Sequence, residues 1–503
     1  MTWFVRSYSS KIIGVIFIIT AVSRFTVSAQ AKTDSAEIKY YTEVKTFTQP
    51  FVRTISKEYV QTYSLPERVF VHKIDSVRAL LIGVLTKYAL VLKSAFIKEQ
   101  QIQINYYFDK LLADYPADHT GNTDRPLVPS VIPARLQKHV ADLNDPSLLN
   151  EVMFRNYVHA YFAFELTGEV EKPVYRAADN RTLLAMINII DKSITNVKCR
   201  NFWQYDYLYN YISNNGIKNI DKTYKAFKST CTDTAYLNRV NTLYDYEYKQ
   251  RQGHLIKTYK TIGTYDLQIH LFLPDTPSSK KRPVMVYFHP GDWKEGKPDW
   301  YFEECKQYAR KGWVACAIEY RTYDREGATP YDAVKDARSA IRWLRKHATV
   351  YNIDTARIVA NGYDAGGQLA LACELANGYN EKTDDLHYKA SPNLIMVTSG
   401  IYDLTDINNA WKRRELKDKA LARSISPLFL VRAGMSPVLV IHGRKDNEAD
   451  YAIAKQFEAQ MKSNKNPIAF HPVDKATHLL WLDTKYAGEV ERVQQDFLKK
   501  YGY

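Results

Sequence analysis

Four short segments in the second half of the chain hold residue types able to act as nucleophile, acid or base. They are His289-Pro290-Gly291-Asp292-Trp293, Gly362-Tyr363-Asp364-Ala365-Gly366-Gly367, His442-Gly443-Arg444-Lys445-Asp446 and the single His478. A residue on a glycine-flanked turn, then a carboxylate, then a histidine, is the chain order of a nucleophile, its acid and its base. In such a set the histidine moves the proton and the acid fixes its tautomer. Asp364 in first place changes the chemistry, because a carboxylate is already charged and can attack carbon directly. His289, Trp293, Tyr363 and Trp481 stand near these positions in sequence and are candidates to line a pocket.

Those segments need elements that deliver them to one place. Val284 to Phe288, Val314 to Ile318, Ile358 to Ala360, Leu394 to Thr398 and Val438 to Ile441 are continuous apolar runs, the pattern of strands covered on both faces. Leu267 to Leu271 alternates, as an exposed early strand should. Helical spacing lies between them, at Val334, Ala337, Ile341 and Leu344, and again at Ala452, Phe457 and Met461. Alternating strand and helix predicts an α/β class, with a mostly parallel, doubly wound sheet over residues 253–503. Sites in such sheets form at the carboxyl ends of strands, where the four segments are expected to fall.

Over the stretch from Ile318 to Gly367, and in the four segments together, this half resembles the esterase/lipase branch of the α/β-hydrolase superfamily, including its hormone-sensitive-lipase-like and feruloyl-esterase-like members. The resemblance implies an α/β-hydrolase fold, with Asp446 as the acid and His478 as the histidine. It also implies oxyanion donors at the amides of Gly291, Asp292 and Ala365. Two departures stand out. The family's Gly-x-Ser-x-Gly reads Gly362-Tyr363-Asp364-Ala365-Gly366, and its His-Gly-Gly-Gly-Trp stretch carries Pro290, which has no N–H, and Asp292, a further carboxylate. The ordinary serine mechanism is excluded by residue type, and attack by aspartate on an ester would give an anhydride.

Three functional expectations follow. One is a non-catalytic relative that keeps the cleft to bind a small ester-like or other ligand, or a protein partner, with Asp364 in a buried ion pair with His478. A second is an aspartate-nucleophile hydrolase, since epoxide hydrolases and haloalkane dehalogenases carry a similar elbow. There Asp364 would form an alkyl ester and His478, oriented by Asp446, would activate water to cleave it. Those families place tyrosines or halide-binding groups in a helical cap, whereas Leu404 to Gly434 is short and tyrosine-free, with Trp411 as the sole candidate. The third is a slow carboxylesterase working by general-base activation of water. Ser399 is the nearest alternative nucleophile but is not on an elbow, and Asp403 reads as structural.

The rest of the chain carries no catalytic constellation. Residues 1–31 read as a signal peptide: Arg6 and Lys11 precede an apolar run from Ile12 to Val22, too short to span a bilayer, and Ser28-Ala29-Gln30-Ala31 offers a cleavage site. An exported protein, periplasmic or secreted and without a stable membrane anchor, is expected. Residues 33–252 are glycine-poor and helically patterned, predicting an all-α domain. Parts of it, around Leu148 to Leu166 and Tyr207 to Cys231, resemble the helical region preceding exported thioredoxin-like modules. That implies an accessory or scaffolding role and a route to a protein partner, and with no Cys-x-x-Cys present the redox chemistry does not carry over. Among the five cysteines, Cys199 with Cys231 is a candidate disulfide. The net charge of +14 is scattered, with no nucleic-acid motif, and no metal site or organic cofactor is implied.

Overall fold

The computed structural model describes residues 35–123, 125, 127–176, 178–405, 412 and 415–503. The expected signal peptide and Trp411 lie outside the described residues.

Eight longer helices fill the first half: α1 (Ser35–Ser56), α2 (Glu67–Lys87), α3 (Ser94–Thr123), α4 (Val152–Glu169), α5 (Arg181–Ser193), α6 (Val197–Asn215), α7 (Asp221–Thr230) and α8 (Thr234–Gln250). Their apolar stripes meet in an aromatic-rich core around Phe70, Phe108, Tyr115, Phe154 and Trp203. A smaller cluster around Leu208, Ile212, Phe227 and Val240 continues it toward the second half. In sequence Asn144-Asp145-Pro146 reads as a helix start, a capping side chain followed by proline at the first turn, and the structure makes that start tighter. Asp145 caps a 3-10 turn, Pro146–Asn150, before α4 begins, while Asn144 Oδ1 instead accepts the Thr195 and Asn196 amides ahead of α6.

The candidate disulfide is corrected. All five cysteines are free and buried. Cys199 packs in the main helical core and Cys231 in the smaller cluster, each as a small apolar side chain.

Eight strands follow: β1 (Leu255–Ile262), β2 (Tyr265–Phe272), β3 (Arg282–Phe288), β4 (Val314–Ile318), β5 (Ile353–Tyr363), β6 (Leu394–Thr398), β7 (Val438–Gly443) and β8 (Ile468–Val473). They form one sheet in the order β1-β2-β4-β3-β5-β6-β7-β8, antiparallel at β1/β2 and β2/β4 and parallel from there on. Further helices cover both faces: α9 (Phe302–Arg310), α10 (Pro330–Lys346), α11 (Asp364–Leu375), α12 (Tyr451–Ser463) and α13 (Thr484–Lys500). Alternate residues of β3 show the two sides. Val284, Val286 and Phe288 pack with α10, α11 and α12, whereas Met285 and Tyr287 pack with α9 and α13. The run from Leu267 to Leu271 lies in β2, inside the sheet, and is buried along most of its length instead of exposed.

Candidate active site

The fold sets the ends of β3 and β5 side by side, with Phe288 in register with Gly362, and places the end of β7 one strand further along, beyond β6. At the end of β5 the chain turns so sharply that Asp364 has φ of +52°, a left-handed value unfavourable for a side chain with a Cβ. The flanking glycines are required by close approach. A Cβ on Gly366 would lie 2.0 Å from the Phe288 carbonyl oxygen, and one on Gly362 would lie 2.3 Å from Gly366. The turn therefore lifts Asp364 to the top of the sheet at the first residue of α11.

Asp364 does not project freely. Its Oδ2 accepts the backbone N–H groups of Gly291 and Asp292, each at 3.1 Å. The Ala365 amide also favours the charged carboxylate. All three amides expected as oxyanion donors thus act on the carboxylate of Asp364 itself. Its other oxygen, Oδ1, faces His478 Nε2 at 3.5 Å. On its opposite side His478 donates from Nδ1 to Asp446 Oδ2 at 3.0 Å. Asp446 is fixed in turn by the Glu448 and Ala449 amides on Oδ1 and by His442 Nε2 at 3.2 Å from Oδ2.

The result is a histidine between two buried carboxylates. Burial alone would push Asp364 up, but His478, Lys412 and the Ala365 amide together hold it well below the usual carboxylate range. Burial likewise opposes the ionisation of Asp446, and His442 and His478 overcome it. For His478, burial favours the neutral ring, yet Asp364 and Asp446 raise its pKa well above the ordinary histidine value. Each group thus favours its charged form: carboxylate, imidazolium, carboxylate.

Two of the residues expected to line a pocket are instead fully buried supports. The Trp293 indole donates to Gln368 Oε1 at 3.2 Å, and Gln368 donates to the Ile425 carbonyl at 2.8 Å. The ring of His289 stacks on Tyr320 with centroids 4.0 Å apart and bonds the Pro290 carbonyl through Nδ1. Tyr363 and Trp481 are half-buried and stack at 5.7 Å beside the histidine, with Trp300 6.3 Å from Trp481. Ser399 is buried at the end of β6 with φ of +48°. Asp403 closes a turn onto Thr405.

Lys412 was not singled out in the sequence. Its ammonium pairs with Asp292 and lies 6.0 Å above the Trp293 ring. Burial and the neighbouring Asp364 push Asp292 upward, and Lys412 opposes them. The only sequence signal was a basic residue beside Trp411. His442 was quoted within its motif but not recognised as a second partner of Asp446.

A family model described as BD-FAE matches residues 269–461. The chain is 25% identical over 229 residues to "Probable carboxylic ester hydrolase LipM" of Mycobacterium tuberculosis, covering 41% of this chain and 52% of that protein. It is 25% identical over 211 residues to "Probable isoprenylcysteine alpha-carbonyl methylesterase ICMEL1" of Arabidopsis thaliana, covering 38% of this chain and 44% of that one. It therefore spans about half the length of these curated relatives. This half of the chain has the α/β-hydrolase fold and is similar to esterases and lipases. Its sheet order and elbow carry that assignment. A solved thermophilic esterase, Est2 of the planctomycete Thermogutta terrifontis, is 28% identical, covering 50% of this chain and 94% of that chain, with a TM-score of 0.46. Among the described residues of the hydrolase domain and its helical partner, no group of three or more His, Cys, Asp or Glu could hold a metal ion. No described helix is long and apolar enough to cross a membrane.

Proposed function

We propose that this chain is an exported, esterase-type hydrolase-fold protein that has lost acyl transfer and uses its cleft to hold a small ligand or a partner. One observation carries the reading: Asp364 Oδ2 occupies the Gly291 and Asp292 amides. In acyl transfer those N–H groups must meet the oxygen of the substrate carbonyl as it gains charge. Here they already hold a negative oxygen, so an ester carbonyl would find its donors taken and a like charge in its path. The raised pKa of His478 works the same way, since an imidazolium cannot accept a proton. Export rests on the basic, apolar and small-residue order of the first 31 residues.

A second reading is favoured by the asymmetry of the same carboxylate. Among the described residues Oδ1 has no hydrogen bond and faces His478 at 3.5 Å, so one oxygen is cradled and the other keeps its lone pairs for attack. Attack by Oδ1 on an epoxide or halide carbon would form an alkyl ester and break the carbon–oxygen or carbon–halogen bond, the alkoxide of the opened epoxide taking the His478 proton, or the halide leaving as an anion while that proton passes to water. The ester would carry no charge, which would lower the pKa of His478 and let it activate water against Cγ, with Oδ2 already among its donors.

The test is turnover by the full chain and by Asp364→Ala on short acyl esters, epoxides and alkyl halides. No turnover on any of the three is expected. Epoxide or halide turnover that Asp364→Ala abolishes would establish the aspartate nucleophile, and ester turnover that survives the substitution would sink both readings.

A further inference from the structure

The segment carrying the Gly291 and Asp292 amides is not a relaxed turn. Gly291, Asp292, Trp293 and Gly296 all have positive φ, and two of them are not glycine. Such backbone persists only when its surroundings over-determine it. Part of the constraint comes from within the hydrolase domain. A Cβ on Gly296 would fall 2.3 Å from His289 Nδ1, so the loop closes directly onto that ring. The carbonyls of Trp293 and Lys294 accept the Tyr323 and Asp324 amides at 3.1 and 2.9 Å.

The remaining constraint comes from the other half of the molecule. Lys297, at the far end of the loop, is 5% exposed and pairs with Glu247 of α8, which is 3% exposed. Its stem runs past Gly216, at the end of α6, where an added Cβ would lie 3.6 Å from the lysine Cδ. Asn214, also in α6, donates to Glu295 Oε2 at 3.3 Å. Thr182 of α5 donates to the Asp324 carbonyl at 2.8 Å, and the Asp324 amide is the one bonded to Lys294. Three helices thus converge on one strained loop.

We infer that the helical domain completes the site: Glu247, through Lys297, and Asn214, through Glu295, are positioning residues that hold the Gly291 and Asp292 amides on Asp364. A buried ion pair contributes little net stability compared with apolar packing, but it fixes geometry sharply, and loss of one partner leaves the other uncompensated. The inference stands whether the site binds or turns over.

Amide hydrogen exchange of the full chain, read on the peptide covering residues 289–297, tests it with Glu247→Leu, the milder Asn214→Ala and the reversed pair Glu247→Lys/Lys297→Glu. Exchange of that loop is expected to speed up at least about tenfold in the first two, while β3 and β6 stay protected. The reversed pair is expected to restore it. In an Asp364→Ser chain hydrolysing 4-nitrophenyl acetate, Glu247→Leu is expected to lower kcat about a hundredfold with KM unchanged. Unchanged loop exchange, or loop and core strands accelerating together, would overturn the inference. An inactive Asp364→Ser chain would count against the reading of the site and leave the exchange result to decide the clamp.

Discussion

His478 Nε2 stands 3.5 Å from Asp364 Oδ1, an ion-pair separation longer than the 3.0 Å bond on its other side to Asp446. The histidine is anchored by its acid and attracted by the residue at the nucleophile position, and the surrounding amides are engaged as well. On the proposed reading the parts of an acyl-transfer site are assembled, with one oxygen too many.

That predicts a gain of function. Asp364→Ser removes the charge and vacates the Gly291 and Asp292 amides, leaving His478, Asp446 and the elbow in place. Hydrolysis of short 4-nitrophenyl esters is expected to rise at least about a hundredfold over the native chain. Equal rates in the two proteins would show that more than the nucleophile has been lost.

The charged constellation predicts a bounded pH window for stability. Asp364 and Asp446 have lowered pKa values, so their contribution is present above the unfolded value of about 4 and fades as pH falls through the native ones. His478 has a raised pKa, so its contribution is full below about 6.5 and fades as pH rises through the native value. Urea unfolding of the native chain and Asp364→Asn should therefore differ most between about pH 4 and 6.5 and converge toward either side. A difference that does not fade on the alkaline side would mean that His478 is neutral in the folded protein.

Lys412 is expected to matter through Asp292. Lys412→Met leaves that carboxylate beside Asp364 without its cation and should destabilise the fold by about 1–3 kcal/mol. This is less than the ~3–5 kcal/mol for a fully buried pair, because the Asp292 side chain keeps 28% exposure. Adding Asp292→Asn should recover most of the loss. A double variant as unstable as the sum of the single ones would show that the two side chains act separately.

The cysteines give a simple check. All five are buried free thiols, so a thiol reagent should label none rapidly in the native chain and five after denaturation in the absence of reductant. Three labelled thiols after denaturation would restore the Cys199–Cys231 disulfide.

The sheet interior was readable because β3 to β7 have neighbours on both edges and helices on both faces, which leaves room for little except apolar side chains. The two edge strands were missed for the converse reason. β1, with the sequence Leu-Ile-Lys-Thr-Tyr-Lys-Thr-Ile, and β8 are each paired on one side only and alternate in exposure or stay half-buried. The elbow was legible because its glycines are a steric requirement written into adjacent positions. The engagement of Asp364 by amides 72 and 73 residues away was not, since backbone N–H groups leave no mark in residue identity. Lys412, and the buried pair of Glu247 and Lys297, were hidden because a charge in sequence reads as surface until a distant partner is known.

That last pair also bears on how the chain is built. The link from α8 to β1 is only four residues, Arg251 to His254, and beyond it Lys297 and Glu319 both find their opposite charges on the helical side, at Glu247 and Lys218. A version trimmed to residues 253–503 would keep every residue of the constellation yet strip Lys297 of Glu247 and leave Glu319 with Arg325 as its remaining cation. A swap of either half between relatives would therefore have to carry these counterions along.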